Sequence, residues 1–330
     1  MQEDAELMSE MEDPVVTVAR LLRTKMRVVK DSGALASLNV SGEWQNSDAF
    51  KSGDGQLTVG LAECADQKME LTGKIRRRLP IIKVNVWATD MPNATEGGKS
   101  MRGKIVEEVN RVIRQNRSNP NEIVYDFVGV GSSGQGCKAF SGDAEAAPSV
   151  DWTEWSDIDY QKLWYSDDNR CQISSSVSGK YAVLLFRFKV ESRENTVKRL
   201  VLSFEGSGTA PGGNGVTVKV WNHNASAWQN SQNNLAGAGD EALTVTLLSN
   251  LPDYIDSEGF VWFVARTNST SNGTTPAVLN CDYASCMATI NGITYCDLAS
   301  YRNLDRVDVK PFIYRTELVL KSWFIENIGV

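Results

Sequence analysis

The last segment of the chain, "PFIYRTELVLKSWFIE", alternates with a period of two. Phe312, Tyr314, Thr316, Leu318, Leu320 and Phe324 fall on one side; Arg315, Glu317 and Lys321 fall on the other, along with Trp323 and Ile325. Such alternation marks a half-buried antiparallel strand, and a strand must pair with something. The stretch before it, from about 171 to 295, has a different texture: short apolar runs punctuated by Gly, Asn and Ser. The clearest runs are "KYAVLLFRFKV", "VKRLVLSFEG", "GVTVKVWNH", "ALTVTLLS" and "GFVWFVART". These read as an antiparallel β-sandwich of the jelly-roll type. The polar face of the closing strand matches strands found much earlier in the chain. The last strand is therefore expected to return to the sheet of a first domain, with the sandwich inserted between that domain's last two strands. Insertions are tolerated where two strand ends lie close together at a surface.

The first domain reads as an α+β layer. Asp13-Pro14 supplies an N-cap and a first-turn proline, and Val15, Val18, Leu21 and Leu22 form a stripe opposite Arg20, Arg23 and Lys25. Alternating strands follow in "SLNVSGEW", "QLTVGLAE" and "PIIKVNVWATD". A second helix, "GGKSMRGKIVEEVNRVIRQNR", carries the stripe Met101, Ile105, Val109, Val112, Ile113, and "EIVYDFVGV" reads as another strand. The expected architecture is an antiparallel sheet with two helices on one face, plus the inserted all-β sandwich. The expected divisions are an acidic arm over 1–12, the α+β domain over 13–150 and 303–330, and the sandwich over 151–302. "DWTEWSDIDYQKLWYS" is read as the crossover between domains, and "DLASYRNLDRVDVKP" as a loop.

Net charge is −7 with a pI near 5.0, which argues against bulk nucleic-acid or anionic-membrane binding. The acidic start has no apolar h-region, so no signal peptide is expected. The longest apolar runs are too short to span a bilayer, and no membrane partner is expected. The six cysteines contain no C-x-x-C pair and do not imply zinc. Cys281, Cys286 and Cys296 are close enough in sequence for one local bridge, although free buried thiols are the plainer reading. A single histidine, His223, removes most imidazole-based schemes. No catalytic residue, cofactor or metal site is expected, and the chain is not read as an enzyme.

The segments "DPVVTVARLLRTKM", "RRRLPIIKVNVWATD", "KSMRGKIVEEVNRVIRQNR", "DWTEWSDIDYQKLWYS" and "PFIYRTELVLKSWFIE" together resemble tail-terminator and head–tail completion proteins of tailed viruses, especially those of archaea. The resemblance covers about residues 13 to 130 and 303 to 330. It implies a virion protein, assembled in the host cytoplasm, that forms a ring, usually a hexamer, at the head–tail junction. Its partners would be copies of itself, the tail tube protein and neck proteins, with the sandwich as an outward decoration. Heterologous contacts between identical subunits close such a ring.

Four motifs carry candidate chemistry. Lys74, Arg76, Arg77 and Arg78 form the only dense basic cluster, a candidate for subunit contact or for passing contact with DNA in a channel. Gly129, Gly131 and Gly134 fit G-x-G-x-x-G but lack a following helix, so a flexible loop is expected. Asp151, Glu154, Asp157, Asp159, Asp167 and Asp168 supply oxygens of the kind calcium takes, without EF-hand spacing. In the sandwich, Trp221, His223, Trp228 and Tyr254 are read as a candidate glycan platform, while Trp262 is read as core. The alternative function is thus a glycan-binding module on a virion or cell surface.

Overall fold

The computed structural model describes residues 10–42, 53–71, 73–90, 96–133, 136–150, 152–306, 308 and 312–327. The chain forms two compact units, Met11–Asn121 with Asn291–Val330, and Glu122–Ile290 with the N-terminal residues through Glu10. The fold is mostly β-sheet.

In the first unit the strand order is β1-β2-β3-β16-β15. The strands are β1 (Leu38–Ser41), β2 (Gly55–Lys68), β3 (Ile75–Thr89), β15 (Tyr295–Asn303) and β16 (Ile313–Asn327). All neighbours are antiparallel except β1 and β2, which run parallel. The closing strand pairs with β3, with Leu318 opposite Val84 and Leu320 opposite Ile82. The segment read as a loop before it is the edge strand β15.

Helices α1 (Pro14–Lys25) and α2 (Gly98–Gln115) cover one face of this sheet. Asp13 caps α1, its Oδ1 accepting from the Val15 N–H at 2.7 Å, with Pro14 in the first turn. Val18, Leu21 and Leu22 of α1 and Ile105, Val109 and Val112 of α2 pack on Leu57, Val59, Ile82, Val84, Val86, Leu318 and Leu320. Arg20 is not on the solvent side of α1. It is buried and paired with the buried carboxylate of Glu12, which also accepts from Thr17 Oγ1 at 2.7 Å. A buried guanidinium needs such a partner, and no helical stripe of apolar residues reveals one.

The second unit is an antiparallel β-sandwich. One sheet runs β11-β10-β13-β8-β5-β6, the other β12-β9-β14-β4 with β7 also paired to β14. The strands are β4 (Glu122–Tyr125), β5 (Lys138–Gly142), β6 (Thr153–Glu154), β7 (Cys171–Ser175), β8 (Val183–Lys189), β9 (Val197–Thr209), β10 (Val216–Asn222), β11 (Ala227–Asn233), β12 (Glu241–Leu247), β13 (Phe260–Thr267) and β14 (Ala277–Ile290). The inner faces meet in one core containing Phe127, Phe186, Phe188, Phe204, Phe263, Leu202 and Leu279.

The boundaries differ from the sequence reading. The sandwich begins at Glu122 rather than near 151 and ends at Ile290 rather than 302. Its entry and exit strands are paired neighbours, Glu122 opposite Thr289. That pairing explains how an insertion leaves and re-enters at one point. The aromatic segment read as a crossover lies inside the sandwich. Trp155, Tyr160 and Leu163 are core residues, and Tyr160 belongs to the short helix α3 (Asp157–Gln161).

Candidate functional site

The strands of the six-stranded sheet have two faces. On β8, Leu184, Phe186 and Phe188 enter the core; Val183, Leu185, Arg187 and Lys189 take the outer face. On β13, Val261, Phe263 and Ala265 point inward, and Phe260, Trp262, Val264 and Arg266 point outward. Lys138 of β5 lies opposite Arg187, and Arg187 lies opposite Trp262. On β10, Val220 lies opposite Phe263, which places Trp221 beside Trp262, and Trp221 lies opposite Trp228 of β11. One row, Lys138–Arg187–Trp262–Trp221–Trp228, therefore crosses five strands and spans about 19 Å at the usual strand spacing.

The cationic groups take one end of this row and the aromatic rings the other. The Trp221 and Trp228 rings meet edge-on at 5.1 Å and 70°. The Arg187 guanidinium lies 4.2 Å from the Phe260 ring centre and 5.7 Å from that of Trp262. Lys189 Nζ lies 4.5 Å from the Phe260 ring centre.

Part of the face is roofed by the loop over 143–150. Glu145 accepts from Lys219 Nζ and Arg266 Nε, both at 2.6 Å. The Ala146 carbonyl accepts from Trp228 Nε1 at 3.0 Å, and the Ala147 carbonyl from Trp152 Nε1 at 3.1 Å. Beneath the loop, Val183, Leu185 and Val264 are fully buried, a satellite core of the kind found under long loops. Outside the roof contacts, Trp221, Phe260, Trp262 and Arg187 keep part of their surface exposed. A pocket of about 480 Å³ opens at the Phe260 end, between 189–195 and 255–259, lined by Lys189, Glu191, Arg193, Glu194, Asp256 and Glu258 among others.

Of the four platform residues read from sequence, the structure joins Trp221 and Trp228. Tyr254 lies in the core, its phenol donating to Gln229 Oε1 at 3.1 Å and accepting from Asn230 Nδ2 at 2.7 Å. His223 sits past the strand end, its N–H bonded to the Asp253 carbonyl at 2.7 Å. Burial lowers the His223 pKa against the pull of Asp256. Trp262, read from sequence as core, lies instead on the outer face, because "GFVWFVA" is apolar at every position but its glycine and hides its own alternation. Arg187 and Phe260 had no signal at all; only the register brings them to Trp262.

The basic cluster does not form one patch, since alternate strand residues point to opposite faces. Arg78 pairs with Asp66 at 2.8 Å and with Glu326 at 3.1 Å, and Arg76 with Asp66 at 3.4 Å. Arg77 lies on the other face, 4.6 Å from the Trp323 ring centre. Lys74 sits in the β2–β3 turn, its N–H bonded to Glu70 Oε1. Gly129 adopts φ +73° in a turn, Gly134 lies outside the described residues, and the next element is strand β5 rather than a helix. Among the described residues the acidic set does not converge. Asp157 accepts from the Ser132 N–H at 2.7 Å, Ser156 bonds Asp159, and Asp168 pairs with Arg170. Asp151 lies outside the described residues. No described helix is long and apolar enough to cross a membrane.

A family model described as the C-terminal domain of an uncharacterized protein matches residues 137–290, within the sandwich. No curated protein sequence matches the chain. Solved structures similar to it include one titled "CBM4 structure and function", 11% identical, covering 47% of this chain and 95% of that one, TM-score 0.28. A xylan-binding module, CBM15, is 13% identical over 51% of this chain and 97% of that one, TM-score 0.27. A family 11 carbohydrate-binding module from Clostridium thermocellum, in complex with a β-1,3-1,4-mixed-linked tetrasaccharide, is 8% identical over 51% and 88%, TM-score 0.23.

Proposed function

We propose that the sandwich is a carbohydrate-binding module whose ligand lies along the unroofed part of the outer face. The observation that carries this reading is the half-exposed pair of rings on adjacent strands, Trp262 and Trp221, with the Arg187 guanidinium next in the row. The C–H face of a pyranose stacks on indole, and a guanidinium fork hydrogen-bonds vicinal hydroxyls. The site is a flat row on a rigid sheet, which suits a chain of sugars better than a small compact ligand.

Affinity electrophoresis through gels containing soluble polysaccharides tests this. Retardation by at least one polymer is expected, and Trp262→Ala and Trp221→Ala should each weaken it roughly 10- to 100-fold, the cost of one central aromatic anchor. Retardation by none, or Trp262→Ala binding like the parent, would overturn the reading.

A second reading is favoured by one feature of the first unit. Among the described residues β1 pairs with β2 only as far as Thr58, so over 61–68 the side of β2 turned away from β3 is a free edge, and Met69, Leu71 and Ile75 at its tip are exposed. Such edges recruit other strands, in keeping with a self-assembling virion ring at a head–tail junction. Mass photometry of the purified chain separates the two readings: a closed multimer supports assembly, and a monomer at micromolar concentration counts against it.

A further inference from the structure

Cys171 opens strand β7 and Cys281 lies in β14. The antiparallel ladder between these strands sets Cys171 directly opposite Cys281. Residues opposed in this way have side chains on the same face and Cα atoms about 4.5–5.5 Å apart, inside the roughly 4.4–6.8 Å that a disulfide spans. Both cysteines are buried, at 2% and 0% exposure, and both are free thiols here. Each thiol has only a weak alternative contact: Cys171 Sγ at 3.9 Å from Asp159 Oδ1, and Cys281 Sγ at 3.7 Å from the Tyr283 carbonyl. β7 is short and, among the described residues, pairs only with β14, so a covalent tie here would fix an element otherwise held by one ladder.

We propose that Cys171 and Cys281 form a cross-strand disulfide when the chain folds in an oxidising environment. The oxidant class is a small-molecule disulfide such as oxidised glutathione. One cysteine thiolate attacks a glutathione sulfur, forming a mixed disulfide and releasing one glutathione thiolate. The second cysteine thiolate attacks the protein sulfur of that mixed disulfide and releases the other. Two S–H bonds are lost, one S–S bond forms, and the oxidant takes up two electrons and two protons. In the folded chain the reaction is slow. Burial pushes the Cys171 thiol up to about 12 and raises that of Cys281 well above the ordinary thiol value, so almost no thiolate is present at neutral pH. The bridge therefore closes during folding, while the edge strand is still open.

The test refolds the full chain in a glutathione redox buffer and, in parallel, in reductant alone. Free thiols are then alkylated, and digestion uses trypsin plus a protease that cuts before aspartate, since Asp282 separates Cys281 from Cys286. The expected result is one linked peptide pair joining Cys171 to Cys281, with Cys64, Cys137, Cys286 and Cys296 alkylated. The oxidised sample should also melt several degrees higher than the reduced one, by the usual effect of closing a long loop. Cys281→Ser should abolish the link and leave Cys171 alkylated. The proposal is overturned if all six cysteines alkylate after oxidative refolding, which would make the pair two inert core thiols, or if Cys171 links to another cysteine.

Discussion

Neighbouring residues on the closing strand give a strong test of where that strand belongs. Leu318 and Val319 are adjacent in sequence but point to opposite faces. Leu318 is fully buried opposite Val84 and packs in the core beneath the helices, whereas Val319 is only partly buried on the helix-free face opposite Lys83. Leu318→Ala removes three carbon groups from the core, about 2.4 kcal/mol of transfer energy at roughly 0.8 kcal/mol each. The cavity left in a packed layer raises the total to about 3–4 kcal/mol. Val319→Ala removes less apolar surface and leaves a gap that water fills, so its cost is under about 1 kcal/mol. Urea unfolding followed by far-UV circular dichroism measures both, and hydrogen exchange read at the β3 amides locates the effect. The β3 amides should lose protection in Leu318→Ala and keep it in Val319→Ala. If the two variants cost the same, or if protection is lost only within the sandwich, then the last strand does not sit in this register on β3.

Other outcomes follow from individual groups. The lone imidazole of His223 should titrate in proton NMR with a midpoint below 6.5, because burial favours its neutral form; this stabilises the fold at neutral pH and is lost as pH falls through the lowered value. A midpoint at or above 6.5 would refute it. Asp282 is buried at a bulge of β14, and desolvation raises its carboxyl pKa, with Asp240 adding to the effect. Its protonated form thus favours folding below the unfolded value of about 3.9, and that contribution is lost as pH rises through the folded value. Asp282→Asn should flatten the stability profile across this window, and an unchanged profile would count against the assignment. A short maleimide pulse on the native protein should label Cys64 alone, since the other five cysteines are buried, with Cys137 pushed up to about 11 and Cys296 to about 12. Gly98→Ala should cost at least about 2 kcal/mol in chemical denaturation, because an added Cβ would lie 2.5 Å from the Thr89 carbonyl carbon, backbone that cannot turn aside.

Local chemistry alone determined several features. The Asp13-Pro14 start of α1, the stripe Met101–Ile105–Val109–Val112–Ile113 of α2, and the alternation of Ile82, Val84, Val86 with Leu318 and Leu320 are each read within one element. The two textures along the chain likewise separated an α+β sheet from a sandwich. Boundaries were not legible in the same way. "EIVYDFVGV" has the same strand signal whether it pairs with β3 or with β14, and only the Glu122–Thr289 pairing decides. The loop-like "DLASYRN" became a strand because β16 supplied a partner edge. Arg20 looked solvated until Glu12 was brought beside it.

The candidate binding row shows the same limit. Its members lie on β5, β8, β13, β10 and β11, so their adjacency is a property of strand order and register. A period of two says which residues share a face within a strand, but not which strand lies beside it. In "FVWFVA", where both faces are apolar, it does not even say that Trp262 faces outward, and nothing short of the tertiary pairing could place Arg187 against it.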